Sequence, residues 1–321
     1  MALLRTPMAI FKLGRLQLPE GVWGGRGRGD WGWTSSRVAF HSARSLGAAA
    51  AAAPGAGGDG IAGVDAGVSL VQGASRGLGL EFVRQLLEKE EGHVIATCRN
   101  PENAGDLSSL KDQHSSRLTV LPLDVTKETT IEEAAKLISQ EHGRLDLLIN
   151  TAGILHVSNL KVQPETALSK VNPEAMTLVY QINAVGPLLV MKHMAALLKK
   201  GGGKGTSRPA AIIANLSARV GSIGDNGTGG WYAYRASKTA LNQLTKTASV
   251  EFARKRDPIV SILLHPGTVD TDLSKPFQRN VPQGKLFTKE YSVERLLGII
   301  NGVDAKDNGR FFAWDGQEIV W

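Results

Sequence analysis

The stretch VSLVQGASRGLG, residues 68–79, decides how the rest of the chain is read. VSLVQ is a short, mostly apolar run bounded by glycine, the pattern of a buried strand. Gly73, Gly77 and Gly79 follow in a G-x-x-x-G-x-G spacing, and a helical stretch continues from Leu78 to Lys89. Glycines at such a turn let the backbone bend sharply and let N–H groups approach a phosphate at the helix N-terminus. Strand, glycine turn and helix in that order predict the first unit of a nucleotide-binding sheet.

The pattern repeats along the body. HVIATC (93–98), LTVLPL (118–123), LDLLIN (145–150), AAIIANL (210–216), PIVSILLH (258–265) and RFFAWD (310–315) read as further strands. TIEEAAKLISQEHG, a long segment over 173–200 and the stretch from Trp231 to Lys255 read as helices between them. Strands that are apolar nearly throughout and alternate with helices predict a parallel sheet covered on both faces. With right-handed crossovers the fold class is α/β: a single doubly wound parallel sheet of Rossmann type. No internal repeat and no second core interrupt it.

Composition limits the chemistry. Cys98 is the only cysteine, which excludes an intramolecular disulfide. The seven histidines show no metal-ligand spacing, so no metal is expected. No run of eighteen apolar residues appears, so no membrane span is expected. The net charge of +7 suggests nucleic acid until it is located. Residues 1–44 hold seven basic and two acidic residues; the remainder holds 30 basic and 28 acidic. The charge belongs to the N-terminus, and no nucleic-acid partner is expected of the fold. Residues 1–65, rich in Arg, Gly and Ala and poor in acid, read as an organelle-targeting presequence and linker. RVAFHSARS resembles a mitochondrial processing site, with the chloroplast as alternative, and with the cytoplasm if the segment is retained. The domain proper is expected over 66–321.

Two constellations then point to a cofactor and an acid. The end of the second strand reads ATCRN, with Arg99 where an NAD site would place a carboxylate for the ribose 2′-OH. Arg99 and Arg76 could clamp a 2′-phosphate instead, which selects NADP(H). In WYAYRASK (231–238), Tyr234 and Lys238 are four apart and share one helix face, whereas Tyr232 points elsewhere.

The chain resembles the short-chain dehydrogenase/reductase family over residues 68–321. The resemblance rests on GASRGLG (73–79), LDVT (123–126), NTAG (150–153), NAVG (183–186), YRASK (234–238) and HPGTVDT (265–271), in that order. GSIGDN followed by GGWYAYRASKTALN resembles the C-factor-like and sniffer-like carbonyl reductases within it. The resemblance implies that Gly73, Ser75, Arg76, Gly77, Leu78 and Gly79 hold the pyrophosphate and adenosine side, and that Asp124 and Val125 contact the adenine. It implies that Asn150, Ala152 and Gly153 line the cofactor, with Thr151 where a second Asn is usual. Pro266, Gly267, Val269 and Thr271 would meet the nicotinamide carboxamide, and Lys238 its ribose. Tyr234 would be the acid for reduction and the base for oxidation, its pKa lowered by the Lys238 ammonium. Asn183 would hold a water of the proton relay.

One position departs from the family. Its usual active-site serine aligns with Ala218 in NLSARVGS (215–222), leaving Ser217 and Ser222 as candidates. Strand alternation points Ser217 away from the face used by position 218. The expected function is NADPH-dependent reduction of an aldehyde or ketone to an alcohol, with a small-molecule carbonyl or alcohol as partner. The loop after Ser222 and the segment 272–291 should shape the pocket, with Trp231 and Phe277 lining it or simply packing. The alternative is a family member that binds NADP(H) as a sensor or scaffold. A homo-oligomer through the helices at 173–200 and 231–256 is possible on the same resemblance.

Overall fold

The computed structural model describes residues 67–156, 163–203, 206 and 208–321. The expected presequence, residues 1–65, lies outside them.

Seven parallel strands form the sheet, in the order β3-β2-β1-β4-β5-β6-β9. They are β1 (Val68–Gln72), β2 (His93–Cys98), β3 (Leu118–Pro122), β4 (Leu147–Asn150), β5 (Ala211–Leu216), β6 (Ile259–His265) and β9 (Phe311–Ala313). The chain builds outward from β1 to β3, then returns to place β4 on the other side of β1, with Ser69 opposite Leu147. That reversal opens a crevice at the C-terminal strand ends, where doubly wound sheets bind ligands.

Side-chain alternation along the strands feeds two cores. Leu70, Ile95, Leu148 and Ile213 face one layer. Its helices are α3 (Glu128–Glu141), α5 (Gly186–Leu198) and α6 (Tyr232–Lys255), which contribute Ile131, Met191, Met194 and Phe252. Val71, Ala96, Ile149 and Ile212 face the other. There α1 (Gly77–Lys89), α2 (Gly105–Gln113) and α7 (Lys289–Gly302) bring Phe82, Leu86, Leu107 and Leu296. Each fully buried Leu, Ile, Val, Met or Phe among them contributes about 1.5–3 kcal/mol.

Three features differ from expectation. The segment expected as one helix over 173–200 is α4 (Pro173–Tyr180), a π-helical turn (Gln181–Val185) and α5. Pro187 has no N–H for the Asn183 carbonyl four residues before it, and a π turn absorbs the misfit. Helices α2 and α7 went unread. In α2 only Leu107 is buried, so little periodicity marks it; α7 opens on a Thr288 cap, whose hydroxyl accepts from Tyr291 N. Short β7 (Thr268–Val269) and β8 (Leu286–Phe287) pair apart from the main sheet.

Candidate active site

The glycine turn forms as its spacing implies. Gly73 and Gly77 adopt φ +88° and +60°, values that side-chain-bearing residues rarely take. A Cβ on Gly79 would stand 2.2 Å from the Gly73 carbonyl oxygen, so the first turn of α1 can press against the loop only without one. Thr151, where the family's second Asn is usual, ties the same loop to β4: its hydroxyl donates to Gln72 O at 2.6 Å and lies 3.1 Å from Gly73 O. Arg76 precedes α1 with no side-chain cap, leaving the first amides of Gly77, Leu78 and Gly79 to another partner. Across the crevice, a Cβ on Gly77 would meet only Thr271, at 3.8 Å. Free amides, a positive helix end and a side-chain-free floor fit a pyrophosphate.

The surrounding residues fit a nicotinamide dinucleotide. Arg99 leaves the end of β2 exposed, and Arg76 is 74% exposed with Nη1 3.7 Å from Asp272 Oδ2. Neither Arg99 nor Asn100, the residues after β2, is a carboxylate. Ser75 and Leu78 lie half-buried in the loop. Asp124, expected at the adenine, spends Oδ1 on Thr126 N and Oγ1 at 3.0 and 2.8 Å, which leaves its other oxygen for a ligand. Val125 is buried against Gly186, where a Cβ would come within 2.7 Å of its own. Asn150 donates to Asn215 Oδ1 at 2.7 Å, while its own Oδ1 is buried without a partner among the described residues. Ala152 N donates to Gln72 Oε1 at 3.3 Å.

Farther along the crevice, Pro266 and Gly267 follow β6. Ser292 on α7 donates to Pro266 O at 2.8 Å, and Gly267 (φ +78°) lies so close to Phe287 that a Cβ would approach its ring to 2.5 Å. Val269 is buried and Thr271 half-buried. Burial holds His265 neutral, its pKa lowered to about 4.

Tyr234 and Lys238 stand one turn apart on α6, 8% and 4% exposed. Lys238 Nζ donates to Leu216 O at 2.9 Å and lies 5.9 Å from the centre of the Tyr234 ring. Gly153 completes the corner: a Cβ there would sit 3.5 Å from both Lys238 Nζ and Asn183 Oδ1. Asn183 is engaged at both ends. Its Oδ1 accepts from Ile154 N at 2.8 Å, and its Nδ2 donates to Ile154 O at 2.8 Å and to Ser237 Oγ at 3.1 Å. The side chain therefore ties the loop after β4 to α6.

The acidity differs from expectation as well. Burial pushes the Tyr234 phenol up to about 12 and the Lys238 ammonium down to about 8. Lys238 aims its ammonium at a carbonyl, and desolvation outweighs its attraction for a phenolate.

Neither serine candidate is hydrogen-bonded to Tyr234 among the described residues. Ser217 donates to Asn242 Oδ1 at 2.6 Å, and Ser222 Oγ accepts from Asp225 N at 3.0 Å to open the following turn. Ala218 shares a buried apolar cluster with Leu155 and Tyr234, against which Val220, Trp231, Leu273 and Phe277 pack. Trp231 lies edge-on to Tyr234 with ring centres 6.2 Å apart, and 5.1 Å from Phe277.

Two residues went unread in the sequence. Arg235, inside YRASK, donates to the carbonyls of Val220, Gly229 and Gly230 and to Thr228 Oγ1, gathering the loop before α6. Glu165 is 3% exposed and accepts from Ala233 N. Arg235 was visible inside its motif; nothing in the local sequence marks Glu165.

A family model described as short chain dehydrogenase matches residues 67–282. The chain is similar to an NADPH-bound carbonyl reductase from chicken fatty liver, with TM-score 0.70 and 34% identity, over 79% of this chain and 98% of that one. It is similar to the carbonyl reductase Sniffer of D. melanogaster, with TM-score 0.68 and 30% identity, over 79% and 99%. It is also 36% identical over 179 residues to the C-signal of Myxococcus xanthus, covering 56% of this chain and 94% of that protein.

Proposed function

The chain belongs to the short-chain dehydrogenase family, and on that footing we propose that it is an NADPH-dependent reductase of aldehydes or ketones. One observation carries this reading: Tyr234 and Lys238, both buried and one helical turn apart, meet an apolar wall at the C-terminal end of the sheet. The NADPH-bound carbonyl reductase from chicken fatty liver supports it, as does the similarity to a second solved carbonyl reductase.

NADPH, when bound, supplies the hydride to the carbonyl carbon. Gly73, Ser75, Arg76, Gly77, Leu78 and Gly79 would hold its phosphates, Arg99 with Arg76 its 2′-phosphate, and Asp124 with Val125 its adenine. Asn150, Ala152 and Gly153 would line it, and Pro266, Gly267, Val269 and Thr271 would receive its carboxamide. Lys238 would hold the ribose once its ammonium turns from Leu216 O.

Tyr234 donates the proton from its phenolic oxygen to the carbonyl oxygen. A raised pKa keeps that proton in place at neutral pH, the state a reductase requires before each turnover. The neighbouring Lys238 ammonium steadies the phenolate left behind and returns a proton to it. Asn183 contributes its backbone carbonyl, which Pro187 cannot serve, to a water in that return path. Ala218 leaves the carbonyl oxygen a single protein hydroxyl, that of Tyr234. Leu155, Trp231, Leu273 and Phe277 exclude bulk water around it.

We further propose that residues 1–65 direct the chain to an organelle, the mitochondrion first; fusing them to a fluorescent protein tests this. The enzymatic reading is tested by NADPH oxidation with residues 66–321 over a panel of aldehydes, ketones and quinones, beside Tyr234→Phe. Turnover that collapses in the variant supports it. NADPH binding without turnover across the panel overturns it in favour of a cofactor-binding scaffold.

A further inference from the structure

We propose that Glu165 is a positioning residue for Tyr234, a carboxylate brought from outside α6 to fix the helix's first turn. The inference rests on the reading of Tyr234 as the proton donor.

Helix α6 needs such a group. It begins at Tyr232, and the residue before it, Trp231, is left-handed (φ 52°, ψ 45°) and offers no side-chain cap. A helix start leaves its first amides without intrahelical acceptors, and the usual remedy is a Ser, Thr, Asp or Asn just before it. Trp231 supplies none. Its backbone conformation is one a bulky residue holds only when its surroundings impose it.

Glu165 meets both needs at once. Its carbonyl accepts from Trp231 N at 2.6 Å, and its Oε2 accepts from Ala233 N at 3.3 Å. The first bond pins the strained residue; the second caps an amide of the first turn. A buried carboxylate at a helix N-terminus also faces the positive end of the helix dipole, which offsets part of its desolvation. Only one peptide separates Ala233 from Tyr234. Ala233 is itself buried against Ala175 and Val179 of α4, so the turn has little freedom to adjust on that side. Arg235, the residue after Tyr234, gathers the loop with its guanidinium. The phenol thus sits between two anchored neighbours, and the inner anchor belongs to a segment distant in sequence.

The acceptor oxygen, more than the charge, performs this task, and that separates two substitutions. Glu165→Ala removes the acceptor; Glu165→Gln keeps an oxygen in its place. Both are compared with the parent full-length chain by NADPH oxidation, NADPH binding, thermal unfolding, and hydrogen–deuterium exchange of the segment 229–240. In Glu165→Ala, exchange should quicken at Tyr232–Tyr234, kcat should fall at least tenfold, and NADPH affinity should stay within about twofold. Glu165→Gln should restore kcat to within about threefold of the parent. Unchanged exchange in Glu165→Ala overturns the proposal whatever the activity. So does a loss of kcat in both variants that only tracks a fall in Tm. If the parent turns over no carbonyl substrate, the reading of Tyr234 as proton donor fails by itself, and exchange still decides whether Glu165 holds the turn.

Discussion

Ser217 donates its hydroxyl to Asn242 Oδ1 at 2.6 Å, two turns of α6 beyond Tyr234. At 1.5 Å of rise per residue, the backbone positions of Tyr234 and Asn242 are about 12 Å apart along the helix axis. The side chain that does share Tyr234's cluster is Ala218. Neither serine hydroxyl has a hydrogen bond to Tyr234 among the described residues.

Ala218→Ser should raise kcat for carbonyl reduction by roughly tenfold, because it adds a donor where charge develops on the oxygen. Ser217→Ala should leave kcat nearly unchanged and lower stability by about 1–3 kcal/mol through the buried Asn242 oxygen it strands. Steady-state rates and denaturant unfolding check the pair. A collapse of activity in Ser217→Ala would return that serine to the reaction.

Tyr234→Phe should lower kcat by about 10²–10⁴-fold while NADPH binding persists. The ring stays and only the proton is lost, so fluorescence titration with NADPH should give nearly the parent affinity.

The pH profile should identify Lys238. Burial lowers its pKa to about 8, so the charged form is present below that pH and lost above it. Tyr234 keeps its proton until about 12. The profile of kcat/KM for reduction, which reports the free enzyme, should therefore be level near neutrality and fall above pH 8. A limb displaced toward pH 12 would assign it to Tyr234 instead.

Arg99→Ala should weaken NADPH binding by roughly tenfold or more and leave NADH binding unchanged, since only the former carries the 2′-phosphate. Paired titrations with the two cofactors read this directly. Equal losses would place Arg99 outside the phosphate site.

Arg235→Ala should raise KM for the carbonyl substrate by about tenfold with a smaller change in kcat, because the loop it gathers borders the apolar wall. Arg235→Lys should recover little, as one ammonium cannot span several carbonyl acceptors. Substrate saturation curves separate the two parameters.

The sheet and the Tyr–Lys pair were legible because each obeys a local rule. VSLVQ and HVIATC are continuous apolar runs, and a spacing of four places Tyr234 above Lys238 whatever surrounds them. What escaped depends on distant partners. Helix α2 buries only Leu107, so its sequence carries no stripe to detect. The break at Asn183 needed Pro187 and the approach of Val125 to Gly186 weighed together. The direction of Ser217 depends on Asn242, 25 residues away. The phenol's acidity went the other way because exposure, which spacing does not encode, sets the desolvation that dominates it.

The strand order also governs when the molecule can take shape. The central pair joins Ser69 to Leu147, and the outermost pair joins Leu263 to Phe311. A growing chain can therefore make β1 early yet has nothing on one side of it until some eighty further residues have emerged. Parallel pairings of such separation form late and slowly, since each must close a long loop before any contact offsets the entropy lost. The loop after Ser222 waits longer still: Gly224 N donates to Trp321 O at 2.9 Å, a partner translated almost a hundred residues afterwards. Synthesis and catalytic competence are thus separated in time, because the nascent chain lacks this contact until residue 321 has been added.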